Sequence, residues 1–453
     1  MPKPLLPALL LALLVLPTVL SAQIINTVVG TWLNTYNGDG RTGLLTSINN
    51  PSDLARDIDG NILIADTYNN RIRKLDLATG LISTIAGTGA AGFSGDGGPA
   101  TDALFNVPAY ITVDAAGNIY INDISNSRIR KITRATGIIT TIIGSGKLGL
   151  SGDMAPALFD MHYNSGVAVD KAGNVYFAEH GTHRVRMLKF ADNLLYTVAG
   201  NSSPGWEGDG TPATQARLER PYDVYVDSGN NLFIADQFGS KIRRVDATTG
   251  IITTVAGGGG YHVDSTIATN ASITTVAVEG DASGNLYFSG GGEIWKYVAA
   301  TGVVRHLAGT GNSGFSGDGG PAKLATFFGT GGLCFDRSGN LYVADIVNNR
   351  VRMITGVGPV IPVPTSVQGQ SATPGKLLIY PSPNSGRFQV SAGSVKPGDR
   401  LQVDIFNVLG EVILHDVVVT TGATSFPLEL PAGTAPGTYV LRIGRQSRTF
   451  VVE

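Results

Sequence analysis

One strand-rich segment recurs six times along the chain, and its spacing constrains the fold more than any other feature. The copies lie 54 to 57 residues apart and begin at Gly60, Gly117, Gly173, Asn230, Gly284 and Gly339. Short runs of alternating apolar and polar residues, separated by glycine and asparagine turns, are typical of antiparallel strands. A fixed period of this size therefore indicates a repeat architecture built from β-sheet modules.

Each repeat contains four strand-like runs. In the second copy these runs are Ile111–Asp114, Ile119–Asn122, Arg128–Ile132 and Ile138–Ile143. The tight turns between them predict antiparallel neighbours within one sheet. Four-stranded sheets repeated around an axis are the blades of a β-propeller.

The two ends of the repeat array predict how the ring closes. The sixth copy stops at Gly356 without a fourth strand, while Ile24–Gly30 matches the fourth strand of another copy, Ile251–Gly257. An N-terminal strand that completes the last blade would leave no open sheet edge between the two ends. The sequence therefore predicts an all-β, six-bladed β-propeller closed by its N-terminal strand.

Composition and charge exclude several classes of protein. The chain has 453 residues, 60 glycines and a formal net charge of −2, with both signs scattered along it. Such a balance gives no basic surface for nucleic acid or for a membrane. The one cysteine, Cys334, excludes an internal disulfide framework, and it falls in a predicted strand where we expect it to be buried.

Residues 1–22 have the pattern of a secretory signal peptide. Lys3 precedes an apolar run from Leu5 to Leu20, and Ser21 and Ala22 provide a plausible cleavage point. The run is short and is interrupted by prolines, which disfavours a membrane anchor. We expect an exported mature chain without a transmembrane segment.

Two further regions follow the predicted propeller, which spans residues 23–356. Residues 357–375 are rich in proline and poor in charge, and this composition predicts a linker. Residues 376–453 contain seven or so short strand patterns with Pro and Gly turns, which predict a small β-sandwich domain.

Three motifs in this last region resemble a known family. They are Tyr380–Gly386 (YPSPNSG) with Phe388, Ile405–Ile413 (IFNVLGEVI) and Gly437–Tyr439 (GTY). In order and position they resemble the type A C-terminal sorting domain of the type IX secretion system, which usually has asparagine where this chain has Ser382. The resemblance implies a bacterium of the Bacteroidetes group. It also implies periplasmic transit, the secretion machinery as a partner, and an extracellular or outer cell-surface location.

The repeats resemble NHL repeats through the pattern VDxxGNxYxAD followed by N-x-R-I-R. This resemblance covers roughly Gln23–Gly356 and implies a β-propeller. It leaves function open, because the fold hosts binding modules, lactonases and lyases alike.

The strand order predicts two unlike faces. The loop after strand two and the long loop after strand four share one face, called here the long-loop face. The tight turns occupy the opposite, short-turn face. The long loops carry Gly-Asp motifs, at Asp39, Asp96, Asp153, Asp209 and Asp318, whose carboxylates we expect to cap their own turns. Calcium binding is the alternative, although each loop offers a single carboxylate.

An acid ends strand two and a base begins strand three in five repeats. These pairs predict an exposed ion pair across each loop: Asp66/Arg71, Asp123/Arg128, Glu179/Arg184, Asp236/Lys241 and Asp345/Arg350. The fifth repeat lacks the pair and has Gly290–Gly292 in its place. It has either drifted or been reshaped for a partner.

Departures from the repeat provide the candidate binding residues. Three histidines with Glu179 could hold zinc, although their spacing matches no known signature. Charged residues that interrupt the first strands could line the central channel, and aromatic residues of the long loops could anchor a partner. The candidates on the loop face and channel mouth are Asp53, Arg56, His162, Tyr163, His180, His183, Trp206, Tyr222, Asp223, Tyr261 and Glu279.

No motif indicates catalysis. The sequence has no G-x-S-x-G elbow, no H-E-x-x-H and no phosphate-binding loop, so we predict no catalytic residue, metal or cofactor. We expect a secreted or cell-surface binding or scaffold protein that uses one propeller face to bind a protein or carbohydrate. The alternative is a metal-dependent hydrolase, lactonase or lyase with its site in the central channel.

Overall fold

The computed structural model describes residues 23–149, 152–158 and 164–359, together with the strands between residues 378 and 452 and residues 430–431. The predicted signal peptide (1–22) and most of the predicted linker lie outside this part. The chain divides into two compact units, Met1–Pro362 and Val363–Glu453. Within the described ranges, no helix has the length and apolar character needed to cross a membrane.

The first unit begins with β1 (Ile24–Val29) and continues with three blades. Blade one consists of β3 (Pro51–Arg56), β4 (Ile62–Asp66), β5 (Arg71–Leu75) and β6 (Leu81–Ala86), with β2 (Arg41–Thr42) at its outer edge. Blade two consists of β7 (Pro108–Val113), β8 (Ile119–Asp123), β9 (Arg128–Thr133) and β10 (Ile138–Ile143). Blade three consists of β11 (Asn164–Val169), β12 (Val175–Glu179), β13 (Arg184–Lys189) and β14 (Leu194–Ala199).

The remaining three blades follow the same antiparallel order. Blade four consists of β15 (Pro221–Val226), β16 (Leu232–Asp236), β17 (Lys241–Val245) and β18 (Ile252–Gly257). Blade five consists of β19 (Ala277–Gly280), β20 (Leu286–Gly290), β21 (Glu293–Val298) and β22 (Val303–Ala308). Blade six contains β23 (Gly320–Pro321), β24 (Thr330–Phe335), β25 (Leu341–Asp345) and β26 (Arg350–Ile354).

Short 3-10 helices lie in the loops between strands. They are Gly43–Leu45, Thr67–Asn69, Ala100–Asp102, Ile124–Asn126, His180–Thr182, Ala268–Asn270 and Ala322–Leu324. Because each is a single turn, the architecture is all-β, as the sequence predicts.

The ring is closed by the N-terminal strand. β1 pairs antiparallel with β26, with Ile25 opposite Ile354 and Thr27 opposite Arg352, and β23 pairs with the outer side of β1. The first strands of neighbouring blades contact each other all the way around, including β24 with β3. The predicted count of six blades and the predicted closure are confirmed.

The apolar core lies between blades. Six clusters of buried residues each join two neighbouring blades, so each sheet packs on both of its faces. Large side chains such as Phe105, Phe177 and Phe327 are fully buried in these clusters. Cys334 is buried between blades six and one, as its strand position predicts.

The predicted ion pairs have a different basic partner. The strand-two acids lie 3.2 to 3.8 Å from the second basic residue of strand three. These residues are Arg73, Arg130, Arg186, Arg243 and Arg352, whose side chains are fully buried. Of the predicted pairs, Glu179–Arg184 does form, at 2.9 Å. The expectation of exposed pairs is therefore wrong. Strand alternation places both bases of R-x-R on the same side, and the deeper one reaches the buried acid.

The long-loop aspartates complete these buried clusters. Asp39, Asp96, Asp153, Asp209 and Asp318 accept hydrogen bonds from the same five arginines at 2.6 to 3.3 Å. Asp39 also accepts from the backbone N–H of Thr84 in strand four, at 2.9 Å. These carboxylates thus hold the long loop against its blade. They form longer-range bonds in place of the predicted caps of their own turns.

The second unit contains two sheets. One consists of β27 (Leu378–Tyr380), β28 (Arg387–Ser391) and β31 (Ser425–Glu429). The other consists of β29 (Arg400–Asn407), β30 (Val412–Val419), β32 (Gly437–Ile443) and β33 (Gln446–Val452). The predicted sandwich packing of these sheets stays a prediction.

Candidate functional site: the central channel and the long-loop face

The central channel contains two cavities at different depths. The upper chamber, about 300 Å³, lies at the long-loop end and is lined by Ser52, Asp53, Tyr110, Tyr222 and Asp223 among others. The lower chamber, about 470 Å³, lies at the short-turn end. Its lining includes Arg56, Val113, Glu279, Asp281 and Phe335.

Asp53 and Asp223 occupy matching places in blades one and four and are bound to the neighbouring blades. Oδ2 of Asp53 accepts from Ile111 N–H and Oδ2 of Asp223 from Val278 N–H, both at 2.9 Å. On the other side each carboxylate abuts a glycine, Gly332 and Gly166, where a Cβ would overlap its oxygen. Each aspartate therefore links the first strands of three blades, and the two glycines make the close approach possible.

Burial strongly affects the protonation of the channel acids. Burial and then the charge of Asp223 raise the pKa of Asp53, and burial raises the pKa of Asp223 to about 7. Burial also raises the pKa of Glu279 to about 7. Because enclosure disfavours the charged form of each acid, these groups keep their protons to a higher pH than ordinary carboxylates do.

Arg56 and Glu279 lie in the lower chamber, near the short-turn face. The sequence-based assignment of all charged channel residues to the long-loop mouth is therefore wrong for these two. Arg56 follows Asp53 by three residues along β3, and a strand advances about 3.3 Å per residue. The two side chains consequently face different chambers.

The third blade places its histidines near the upper chamber. The His180 ring lies 6.3 Å from that of Tyr222, and Tyr222 packs edge-on against Tyr110 at 5.9 Å. His183 has a left-handed backbone, and its Nδ1 accepts from Arg220 N–H at 3.2 Å. Burial and the nearby Arg220 lower the pKa of His183. His162 and Tyr163 lie outside the described residues.

Glu179, one of the four candidate zinc ligands, is held by other partners. Oε2 of Glu179 accepts from Thr182 and Arg184 at 2.9 Å and lies 3.4 Å from Arg186. In the ranges that the structure describes, no three His, Cys, Asp or Glu side chains are arranged to hold a metal.

Exposed aromatic residues are concentrated on the long-loop face. Five of them are between 51% and 69% exposed: Trp32, Tyr68, Trp206, Phe238 and Tyr261. Tyr68 and Phe238 occupy the same place in the loop after strand two, beside the channel mouth, and Val347 occupies it in blade six. On the short-turn face, the turns expose Leu77 and Phe190.

A second set of aromatic rings supports arginines of this face. The guanidinium of Arg71 lies 3.7 Å from the ring centre of Tyr36, that of Arg128 3.7 Å from Phe93, and that of Arg350 3.8 Å from Phe315. Stacking fixes these arginines with their charge near solvent. Phe93 and Phe315 therefore pack on their own blades, and Trp206 and Tyr261 remain exposed.

Blade five differs from the others, and sequence reasoning did not single out its Trp295, Glu293 or the two nearby histidines. Trp295 replaces the buried arginine and lies between His262, at 5.2 Å, and His306, at 4.9 Å between ring centres. Glu293 stands where other blades have a base; its Oε2 lies 2.7 Å from His262 Nε2 and accepts from Trp295 Nε1 at 3.3 Å. The sequence did indicate this difference, because EIWKY at Glu293–Tyr297 stands where the usual repeat has R-x-R.

Three family matches agree with this architecture. Residues 49–75 match the NHL repeat, and residues 88–157 match the teneurin NHL domain. Residues 378–453 match the secretion system C-terminal sorting domain.

Several proteins of known sequence are similar to parts of this chain. Protein SUPPRESSOR OF QUENCHING 1 of Arabidopsis thaliana is 28% identical over 67% of this chain, and teneurin-3 of Danio rerio is 26% identical over 78%. Human NHL repeat-containing protein 2 is 27% identical over 56%. The matched segments make up 30%, 12% and 38% of those proteins, so this chain spans well under half of each.

Two solved structures from Bacteroides thetaiotaomicron have a similar fold. One is a protein of unknown function, with a TM-score of 0.53 at 16% identity over 74% of this chain and 76% of that one. The other is described as an auxiliary nutrient binding protein, with a TM-score of 0.52 at 17% identity over 73% and 76%. At such identities the likeness concerns the fold alone.

Proposed function

We propose that this chain, an NHL-repeat six-bladed β-propeller exported by means of its C-terminal sorting domain, binds a protein partner through its long-loop face. The sorting domain points to the type IX secretion machinery and to a cell-surface or extracellular location. The predicted signal peptide would provide the first, periplasmic step. The binding function rests on what the long-loop face presents to solvent.

The observation that carries the proposal is the concentration of exposed aromatic side chains on one face. Trp32, Tyr68, Trp206, Phe238 and Tyr261 are all more than half exposed there. Trp, Tyr and Arg are enriched among the residues that dominate protein interfaces, and this face also displays stacked arginines. A protein surface of matching shape would cover both sets at once.

Photo-crosslinking in the producing cell tests the proposal. A photoreactive residue at Phe238 should give a defined crosslinked partner, whereas the same residue at Phe190 on the short-turn face should not. The purified partner should then bind a Tyr68→Ser, Trp206→Ser, Phe238→Ser variant at least about tenfold more weakly than the native chain. The matched Leu77→Ser, Phe190→Ser variant should bind it normally.

Two results would contradict protein binding by this face. One is equal crosslinking from both faces, and the other is unchanged affinity of the triple serine variant. Binding to a glycan array that the triple variant abolishes would instead assign the face to carbohydrate.

The alternative, a metal-dependent hydrolase, lactonase or lyase in the channel, has weaker support. The carboxylates of the upper chamber accept from backbone N–H groups of adjacent blades. Those bonds explain both residues as links between strands. Elemental analysis of the purified chain that finds one equivalent of a divalent metal would favour the enzyme.

A further inference from the structure

We propose that the lower chamber binds a small zwitterion of the α-amino acid class, whose carboxylate pairs with Arg56 and whose ammonium pairs with Glu279. This site lies at the end of the channel opposite the long-loop face. The failure of either proposal would therefore leave the other one intact.

Arg56 is the first observation. Its side chain lies at the end of β3 and lines the lower chamber. The guanidinium has no hydrogen bond or ion pair to any residue in the described ranges, whereas the arginines of strand three are held by carboxylates, carbonyls or rings. A planar group with five N–H donors is thus available to a carboxylate in the chamber.

Glu279 is the second observation. It lies on β19 of blade five and interrupts an apolar strand, and among the described residues its Oε1 accepts only from the neighbouring Gly280 N–H, at 2.9 Å. It forms no ion pair with Arg56 or with any other described base. Its enclosed carboxylate would gain most from a cationic donor, because burial leaves it poorly solvated.

Asp281, in the same chamber, differs from Glu279 because its carboxylate is fully hydrogen-bonded within the protein. Its Oδ1 accepts from Ser283 and Asn285 N–H groups, and its Oδ2 accepts from Asn285 Nδ2 and Tyr287 Oη, at 2.8 to 3.1 Å. These bonds satisfy the whole carboxylate and hold the turn. Arg56 and Glu279 are therefore the two charged groups of the described lining that remain open to a ligand.

The shape of the chamber suits a molecule that reaches both charges. Arg56 is on blade one and Glu279 on blade five, with the first strand of blade six between them. The partly open cavity of about 470 Å³ is within the size range of small-ligand sites. The other walls are largely apolar and include Leu54, Val113, Val226 and Phe335.

The charge pattern selects the ligand class. A simple carboxylate would satisfy Arg56 and leave Glu279 without a partner, and a simple amine would do the reverse. An α-amino acid carries both groups on one carbon, and an aliphatic side chain would contact the apolar walls. An aliphatic amino acid such as leucine therefore matches the three kinds of surface in the chamber.

Calorimetric titration of the full chain at pH 8 with L-leucine, N-acetyl-L-leucine and L-leucinamide tests the inference. Leucine should bind saturably, and each blocked derivative, which lacks one charge, should bind at least about tenfold more weakly. This comparison uses the native chain and so does not depend on the folding of any variant.

Variants then assign each charge to its residue. Glu279→Gln should weaken leucine at least about tenfold and remove its advantage over N-acetyl-leucine, and Arg56→Gln should do the same relative to leucinamide. Arg134→Gln, which alters an exposed arginine paired with Asp59 outside the chamber, should leave leucine binding unchanged. The inference is overturned if leucine does not bind at millimolar concentration or if either blocked derivative binds equally well.

Discussion

The five fully buried arginines are the residues on which the blades most depend. Arg243, for example, has no exposed side-chain surface and lies 2.7 Å from Asp209 of the long loop and 3.8 Å from Asp236 of strand two. It thereby connects the loop, the inner part of the blade and strand four. Removing one partner from such a buried cluster leaves a charge without compensation.

Arg243→Met should lower the free energy of unfolding of the propeller by about 3–5 kcal/mol, because Asp236 would then be buried without a countercharge. Denaturant titration followed by tryptophan fluorescence measures this. Adding Asp236→Asn should restore part of the loss. The neighbouring Arg244→Met, which removes a partly exposed pair with Asp246, should cost less than about 1 kcal/mol. Equal losses for both arginines would contradict the assigned role.

The strands show which parts of the molecule could be predicted from sequence. The number of blades and the closure of the ring could be predicted, because the repeat period and the duplicated IITTVAG-like strand determine them directly. The basic partner of each strand-two acid could not be predicted. Arg71 and Arg73, two positions apart, lie on the same side of the strand and differ only in burial. The different depths of Asp53 and Arg56 could have been inferred from the rise of a strand, but the division of the channel into two chambers depends on side-chain packing.

β1 provides the prediction at this scale. Val29 is fully buried between blades six and one, whereas Asn26 of the same strand is partly exposed and accepts from Gly319 N–H. Val29→Asp should open the ring and lower the melting temperature strongly, because it buries a charge in the closing cluster. Asn26→Asp keeps the acceptor and should leave the melting temperature nearly unchanged. Similar melting curves for the two variants would argue against closure by β1.

In the whole propeller, enclosed acids are concentrated around the channel axis. Asp53, Asp223 and Glu279 all have raised pKa values, and the nearby base is Arg56. Several strand-two acids, including Asp123 and Asp345, are shifted in the same direction by burial. Their combined titration makes the stability of the folded ring depend on pH.

The melting temperature should rise when the pH is lowered from 8 to 6. Between about pH 4 and pH 7 the unfolded chain releases protons that the folded chain retains, so the free energy of unfolding decreases as the pH increases through this window. Differential scanning calorimetry of Asp223→Asn should show a smaller rise. Asp246→Asn, at an exposed acid whose pKa is lowered by Thr249, should leave the rise intact. A melting temperature that falls between pH 8 and pH 6 would refute the assignment.

The pairing of β1 with β26 also sets an order of events during biosynthesis. Ile24 and Thr355 form a hydrogen bond across 331 positions of sequence. The first strand of the domain therefore cannot form its pairing until the last strand has been synthesised. Contacts that distant are reached slowly and only after the intervening chain exists. A nascent propeller of this kind cannot close its ring until its final blade has been synthesised, and an open ring is the form that the predicted export step would require.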